Sequence, residues 1–166
     1  DKPFNWRVSR LTEMGFGVGL WNWIDHDVDQ LEKIQANYTI MNGYLVGSLA
    51  DEDGAHELIK SIKETIIIGK RLNVSRLNLH GTGLGEGGIP IKQNNNPSEK
   101  MWIKANDTLN RVCDIAEKED VVFTLENLNL LDHPGCPFNS TADVYELVSK
   151  INRPQLKINL DLYHTQ

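Results

Sequence analysis

Long apolar runs are missing from this sequence. No stretch reaches the roughly 18 apolar residues of a membrane-spanning helix, so none is expected and no membrane partner is assigned. Positive charge is in short supply: 17 Lys and Arg stand against 23 Asp and Glu, for a net charge of −6. That balance argues against a nucleic-acid partner, since such binders usually carry a basic face. Cysteine is scarce too. The two present, Cys113 and Cys136, lack the spacing of a metal site, and a disulfide framework is not expected. Cysteine usage of this kind points to the cytoplasm. The opening DKPFNWRVSR lacks a secretory-signal pattern, so the Asn-X-Ser/Thr triplets at Asn37, Asn73, Asn106 and Asn139 read as chance. No Ser/His or Cys/His nucleophile–base pair stands out. No linker interrupts the chain, and residues 1–166 read as a single domain.

What is present is alternation. Helical patterns cover 3–14, 25–35, 53–73, 98–118 and 140–151. Extended patterns cover 17–23, 38–42, 75–80, 121–127 and 156–161. Five strands, each linked to the next by a helix, imply an α/β fold with a parallel sheet, either doubly wound or closed as a barrel.

The strand patterns separate these options. A doubly wound sheet is covered on both faces, so its strands read as nearly continuous apolar runs. Here Leu77 and Leu79 oppose Asn78 and His80; Phe123 and Leu125 oppose Thr124 and Glu126; Ile158 and Leu160 oppose Lys157, Asn159 and Asp161. The apolar faces fit a coat of helices. The polar faces must converge, and the interior of a (β/α)₈ TIM barrel is where they do so. A whole barrel takes about 200 residues at least, so five βα units form a partial one.

Glu126 and Asp161 each close a strand on its polar face. Two carboxylates converging at a barrel mouth repel unless a cation shares them, which a hard divalent metal would do. Separate pairing with Lys, Arg or a helix terminus is the other reading. His164 follows Asp161 by three residues and faces the same site if the chain turns helically there; otherwise it is a satisfied loop histidine. His80 reads either as a ligand or substrate donor, or as a core histidine bonded to Asn78 or Glu126. Trp21 and Trp23 share one face of the 17–23 strand and form either an apolar wall beside a sugar or ordinary core. Asp132 and His133 lie in the loop after the Glu126 strand, in reach of a substrate or merely solvated. The run Gly83-Leu-Gly85-Glu-Gly-Gly88 matches a dinucleotide fingerprint formally, but IPIKQNNNP follows where a helix should open. A mobile lid over the barrel mouth is expected there instead.

The segments FTLENLNLLDHPGCPFNSTADVYELV and RPQLKINLDLYHTQ place Glu126, then Asp132-His-Pro-Gly135, then Leu160-Asp161-Leu-Tyr-His164. This series resembles the hydroxypyruvate isomerase-like branch of the xylose-isomerase-like TIM barrels, and EMGFGVGLWNW and GKRLNVSRLNLHGTG fit it as well. The resemblance implies Glu126 as a metal ligand and acid/base group, Asp161 as a second ligand, and His164 as a contact to substrate oxygens. It implies a divalent metal (Mg, Mn, Co or Zn) and isomerisation of a small hydroxy-carbonyl compound or sugar through an enediol. His80 and Trp21 join the expected substrate contacts. His80 departs from the apolar residue often found there, which leaves the substrate open.

By the same resemblance the chain corresponds to the second to sixth strands of a barrel. A further His and a second Glu of the metal set are then expected outside it, with the isolated piece inactive. Two alternatives accompany this reading. One is a non-catalytic partial barrel that self-associates through unpaired strand edges, and a homo-oligomer is expected on that ground. The other is an endonuclease IV-like zinc phosphodiesterase.

Overall fold

The computed structural model describes residues 2–165. Helix and strand alternate throughout: α1 (Phe4–Glu13), β1 (Val18–Leu20), α2 (Val28–Ile34), β2 (Tyr38–Asn42), α3 (Glu52–Arg71), β3 (Arg76–Leu79), α4 (Glu99–Glu119), β4 (Val122–Glu126), α5 (Thr141–Ile151) and β5 (Leu156–Asn159). All strand pairs are parallel, and the sheet order is β1-β2-β3-β4-β5. A doubly wound sheet reverses its order at a switch point. This sheet never reverses, so it forms an arc of a barrel.

Local chemistry sets the helix ends. Asp27 caps α2 by accepting from Gln30 N, and Asp51 caps α3 through Gly54 N. Ser140 and Asp143 form a reciprocal capping box on α5. Gln35, Asp120 and Asn152 end α2, α4 and α5 in the left-handed conformation.

Helical spacing then supplies the core. Leu58, Ile62 and Ile66 of α3, and Ala105, Leu109, Val112 and Ala116 of α4, are buried. They belong to the same cluster as the outward strand residues Leu77, Leu79, Phe123, Leu125 and Leu156. Register places Asn78 beside Thr124, and Glu126 beside Asn159, on the inner face. The alternation read from the sequence is thus a division between a helix-covered outside and a polar inside.

Two expectations need correction. The strand expected over 17–23 ends at Leu20, because Asn22 starts a turn. Its Oδ1 accepts from Ile24 N at 2.6 Å, and its Nδ2 donates to Asp25 at 2.8 Å. Trp21 and Trp23 therefore do not share a strand face. Trp21 borders the inner cleft at 59% exposure, whereas Trp23 packs on the core and donates from Nε1 to Thr65 at 3.3 Å.

The Gly-rich segment 81–97 is not a free lid either. Gly83 N donates to Gly47 O and Ile91 N to Gly83 O, each at 2.8 Å, and Asn94 N reaches Gly135 O at 2.6 Å. Its closest packing is at Gly81, where a Cβ would overlap the Pro137 carbonyl.

Gly81→Ala must push apart the two loops that rim the cleft. A loss of about 1–3 kcal/mol is expected, the usual cost of overpacking. An unchanged urea midpoint would contradict the contact. The cysteines give a second check. Both are buried, and burial pushes the Cys136 thiol up to about 12. Neither should react with a thiol reagent at mildly alkaline pH until denaturant is added; prompt labelling of Cys136 would refute this packing.

Candidate metal and substrate site

The inner polar residues meet at the C-terminal ends of the strands. Asn78 is the junction. Its Oδ1 accepts from the Thr124 hydroxyl at 2.7 Å and from Asn159 Nδ2 at 3.3 Å. Its Nδ2 donates to Glu126 Oε2 and lies 3.3 Å from His80 Nε2.

His80 is 1% exposed and sits behind Glu126. The Tyr44 hydroxyl gives its one hydrogen to Thr82 O at 2.5 Å, so at 3.2 Å its oxygen accepts from His80 Nδ1. Nε2 lies 3.1 Å from Glu126 Oε2. With a hydrogen, Nε2 donates to Glu126; without one, it accepts from Asn78. The ring is satisfied in both states. Burial also pushes the Tyr44 phenol well above its usual pKa, which keeps that hydroxyl protonated.

Asp161 is fixed from its backbone outward. Asn127 Nδ2 donates to Asp161 O, and Asp161 N donates to Asn127 Oδ1, both at 3.0 Å. This reciprocal pair continues the ladder one step beyond β5. Asp161 Oδ1 then accepts from Tyr163 N at 2.8 Å, which starts the 3₁₀ turn Tyr163–Thr165 and swings His164 inward. One ligand atom each from Glu126, Asp161 and His164 lie within 4.8 Å of one another.

The oxygens divide by role. Glu126 is anchored through Oε2 and Asp161 through Oδ1, while Glu126 Oε1 and Asp161 Oδ2 accept no hydrogen bond among the described residues. Two carboxylates with one uncommitted oxygen each form a hard donor set that fits a divalent cation. They supply two of the roughly six positions such an ion takes.

His164 is set differently. Asn129 Oδ1 accepts from Asp132 N at 2.9 Å, which fixes the amide orientation. Its Nδ2 donates to Asp132 at 3.0 Å and to His164 Nδ1 at 2.7 Å. His164 Nδ1 is therefore an acceptor, and the hydrogen resides on Nε2, 3.9 Å from Asp161 Oδ2. Asp132 is held in turn: hydrogen bonds from Asn129 and Tyr163 keep its carboxyl below the usual range. Asn78, Glu126, Asp161 and His164, with Trp21, border a cleft of about 350 Å³.

The geometry brings Glu126, Asp161 and His164 together, with His80 beneath them and Trp21 at the edge. Sequence reasoning passed over Tyr44, Asn127 and Asn129. Only the Glu126-Asn-Leu-Asn129 run hinted at the last two, by spacing two amides at the strand end.

A family profile described as Xylose isomerase-like TIM barrel matches residues 11–166. The chain belongs to that family. Among xylose isomerase-like proteins it is similar to hydroxypyruvate isomerase of Escherichia coli (strain K12), at 23% identity over 96% of this chain and 64% of that protein. The chain thus spans less than two thirds of that relative's length. Its fold is similar to a Brucella melitensis structure titled AP endonuclease, family 2, with a TM-score of 0.82 and 21% identity over 99% of this chain and 65% of the other. It is likewise similar to the IolI protein solved with a binding zinc atom, with a TM-score of 0.76 and 21% identity over 100% of this chain and 60% of the other.

The tautomer of His164 is testable. The wild-type imidazole ¹⁵N spectrum should show hydrogen on Nε2, with His164→Gln assigning the signals. Asn129→Asp places a carboxylate against Nδ1 and should move the hydrogen there. A His164 spectrum unaffected by that substitution would remove Asn129 from its role.

Proposed function

We propose that this chain carries half of the centre of a metal-dependent isomerase acting on small hydroxy-carbonyl compounds or sugars. The observation that carries the reading is the convergence of Glu126, Asp161 and His164, with one oxygen of each carboxylate anchored and the other free. The likeness to hydroxypyruvate isomerase supports the reaction class, and the zinc atom named with the IolI structure supports a divalent metal.

Glu126 Oε1 and Asp161 Oδ2 would hold the ion. When bound, it would polarise the substrate carbonyl and stabilise the charge that builds on oxygen during enolisation. The protein's part is proton movement and positioning. Glu126 takes a proton from the hydroxyl-bearing carbon beside the carbonyl and returns it to the former carbonyl carbon, while the hydroxyl hydrogen passes to the former carbonyl oxygen, by way of an enediol. Asn78 and His80 hold Oε2 still while Oε1 faces the cleft. His164 donates from Nε2 to a substrate oxygen and orients it. Trp21 closes the apolar side.

The zinc phosphodiesterase alternative calls for a cluster rich in histidine. The three-residue group found among the described residues contains one. We therefore keep the isomerase reading.

Hydroxypyruvate in D₂O with Mg²⁺ or Mn²⁺ provides the test, on a version of the protein extended to the whole barrel. Hydrogen exchange at C3 and appearance of the aldehyde should exceed the buffer rate, and EDTA should stop both. Glu126→Gln should lower the rate by roughly 10²–10⁴-fold, the contribution typical of a general base. Full activity in that variant would exclude Glu126 as the proton carrier.

A further inference from the structure

The loop after β4 carries a second histidine that no role so far uses. His133 borders the same cleft as His164, and the two rings meet edge to face with centroids 5.2 Å apart. Nδ1 of His133 lies 2.7 Å from the Gly88 carbonyl oxygen. A carbonyl only accepts, so Nδ1 holds the hydrogen. In the neutral ring Nε2 is then a bare acceptor, and it makes no hydrogen bond among the described residues.

The surroundings fix this arrangement. Gly88 has φ +78°, and a Cβ there would meet His133 Cε1 at 2.9 Å, so glycine is what lets the carbonyl approach. Gly88 N is tied to Gly85 O at 3.1 Å. His133 N donates to Asn129 O at 3.1 Å. Asn129 is also the residue whose side chain directs His164. Asn129 and Gly88 therefore set opposite polarities on two neighbouring imidazoles: a donor on His164 and an acceptor on His133.

We propose that His133 is a specificity-determining residue, whose Nε2 accepts the hydrogen of a substrate hydroxyl while His164 Nε2–H donates to the adjacent substrate oxygen. The pair selects ligands with a hydroxyl beside a carbonyl and rejects those lacking the hydroxyl, which leave the His133 acceptor unpaired. The inference rests on the hydroxy-carbonyl reading above and narrows it.

The test has two arms on the full chain. First, the imidazole ¹⁵N spectrum of the free protein should show His133 with hydrogen on Nδ1 alone. Hydrogen on Nε2, or on both nitrogens near neutral pH, overturns the proposal whatever the protein catalyses. Second, hydroxypyruvate and its deoxy analogue pyruvate are titrated in the presence of Mg²⁺, followed by the same signals. Hydroxypyruvate should bind more tightly and shift His133 Nε2. His133→Phe keeps the ring packing but removes the acceptor, and the preference should collapse by about tenfold, the worth of one well-made hydrogen bond. An unchanged preference in His133→Phe, or no binding of either probe to the wild type, refutes the pair. Binding with a His133-dependent preference but no turnover sustains the pair and refutes only the isomerase reading.

Discussion

Everything at the cleft depends on the carboxamide of Asn78. A polar group on the inner face of a parallel sheet must find partners or cost about 1–3 kcal/mol. Asn78 has two acceptor and two donor positions, and all four have a neighbour: Thr124, Asn159, Glu126 and His80. The amide therefore ties β3 to both β4 and β5. A one-residue slip of any of these strands would turn its inner residues outward and break the set. Strand register and placement of Glu126 are thus one constraint.

The same economy governs the strand ends. Asn127 exchanges two hydrogen bonds with the Asp161 backbone, doing with a side chain what a ladder partner does within the sheet. The next turn begins on Asp161 itself, through Tyr163 N, and delivers His164. Each of the three converging side chains is held through one atom: Glu126 by Oε2, Asp161 by Oδ1, His164 by Nδ1. The remaining polar atoms make no hydrogen bond among the described residues, and a group held in this way is preorganised in the sense that electrostatic catalysis requires.

Much of this was legible because periodicity reports burial. The alternation of Leu77-Asn78-Leu79-His80 and of Phe123-Thr124-Leu125-Glu126 separated the helix-covered face from the polar one, and with it a barrel arc from a doubly wound sheet. Glu126, Asp161 and His164 followed from strand-end position together with the family motif. Three features were not legible. Asn22 ended β1 early, because an Asx turn outcompeted the strand propensity of Trp21 and Trp23. The loop 81–97 was pinned by backbone bonds to Gly47 and Gly135, which no local pattern announces. The tautomers of His164 and His133 depended on Asn129 and Gly88, distant in sequence and visible only as contacts.

The charge balance at the cleft decides what it is built to hold. Two carboxylate oxygens within 4.8 Å repel by about 3 kcal/mol at an effective dielectric near 20. The anchoring hydrogen bonds fall on Glu126 Oε2 and Asp161 Oδ1 and leave one oxygen of each group uncommitted. A divalent ion between them would turn both contacts attractive, and an all-oxygen pair favours a hard ion. The nearby imidazole would ordinarily compete as a nitrogen ligand. Asn129 prevents this by occupying the lone pair of Nδ1, so His164 meets the cleft with a hydrogen. On the proposed reading, the ion's open positions would be left to oxygens of the substrate, with His164 and His133 beside them.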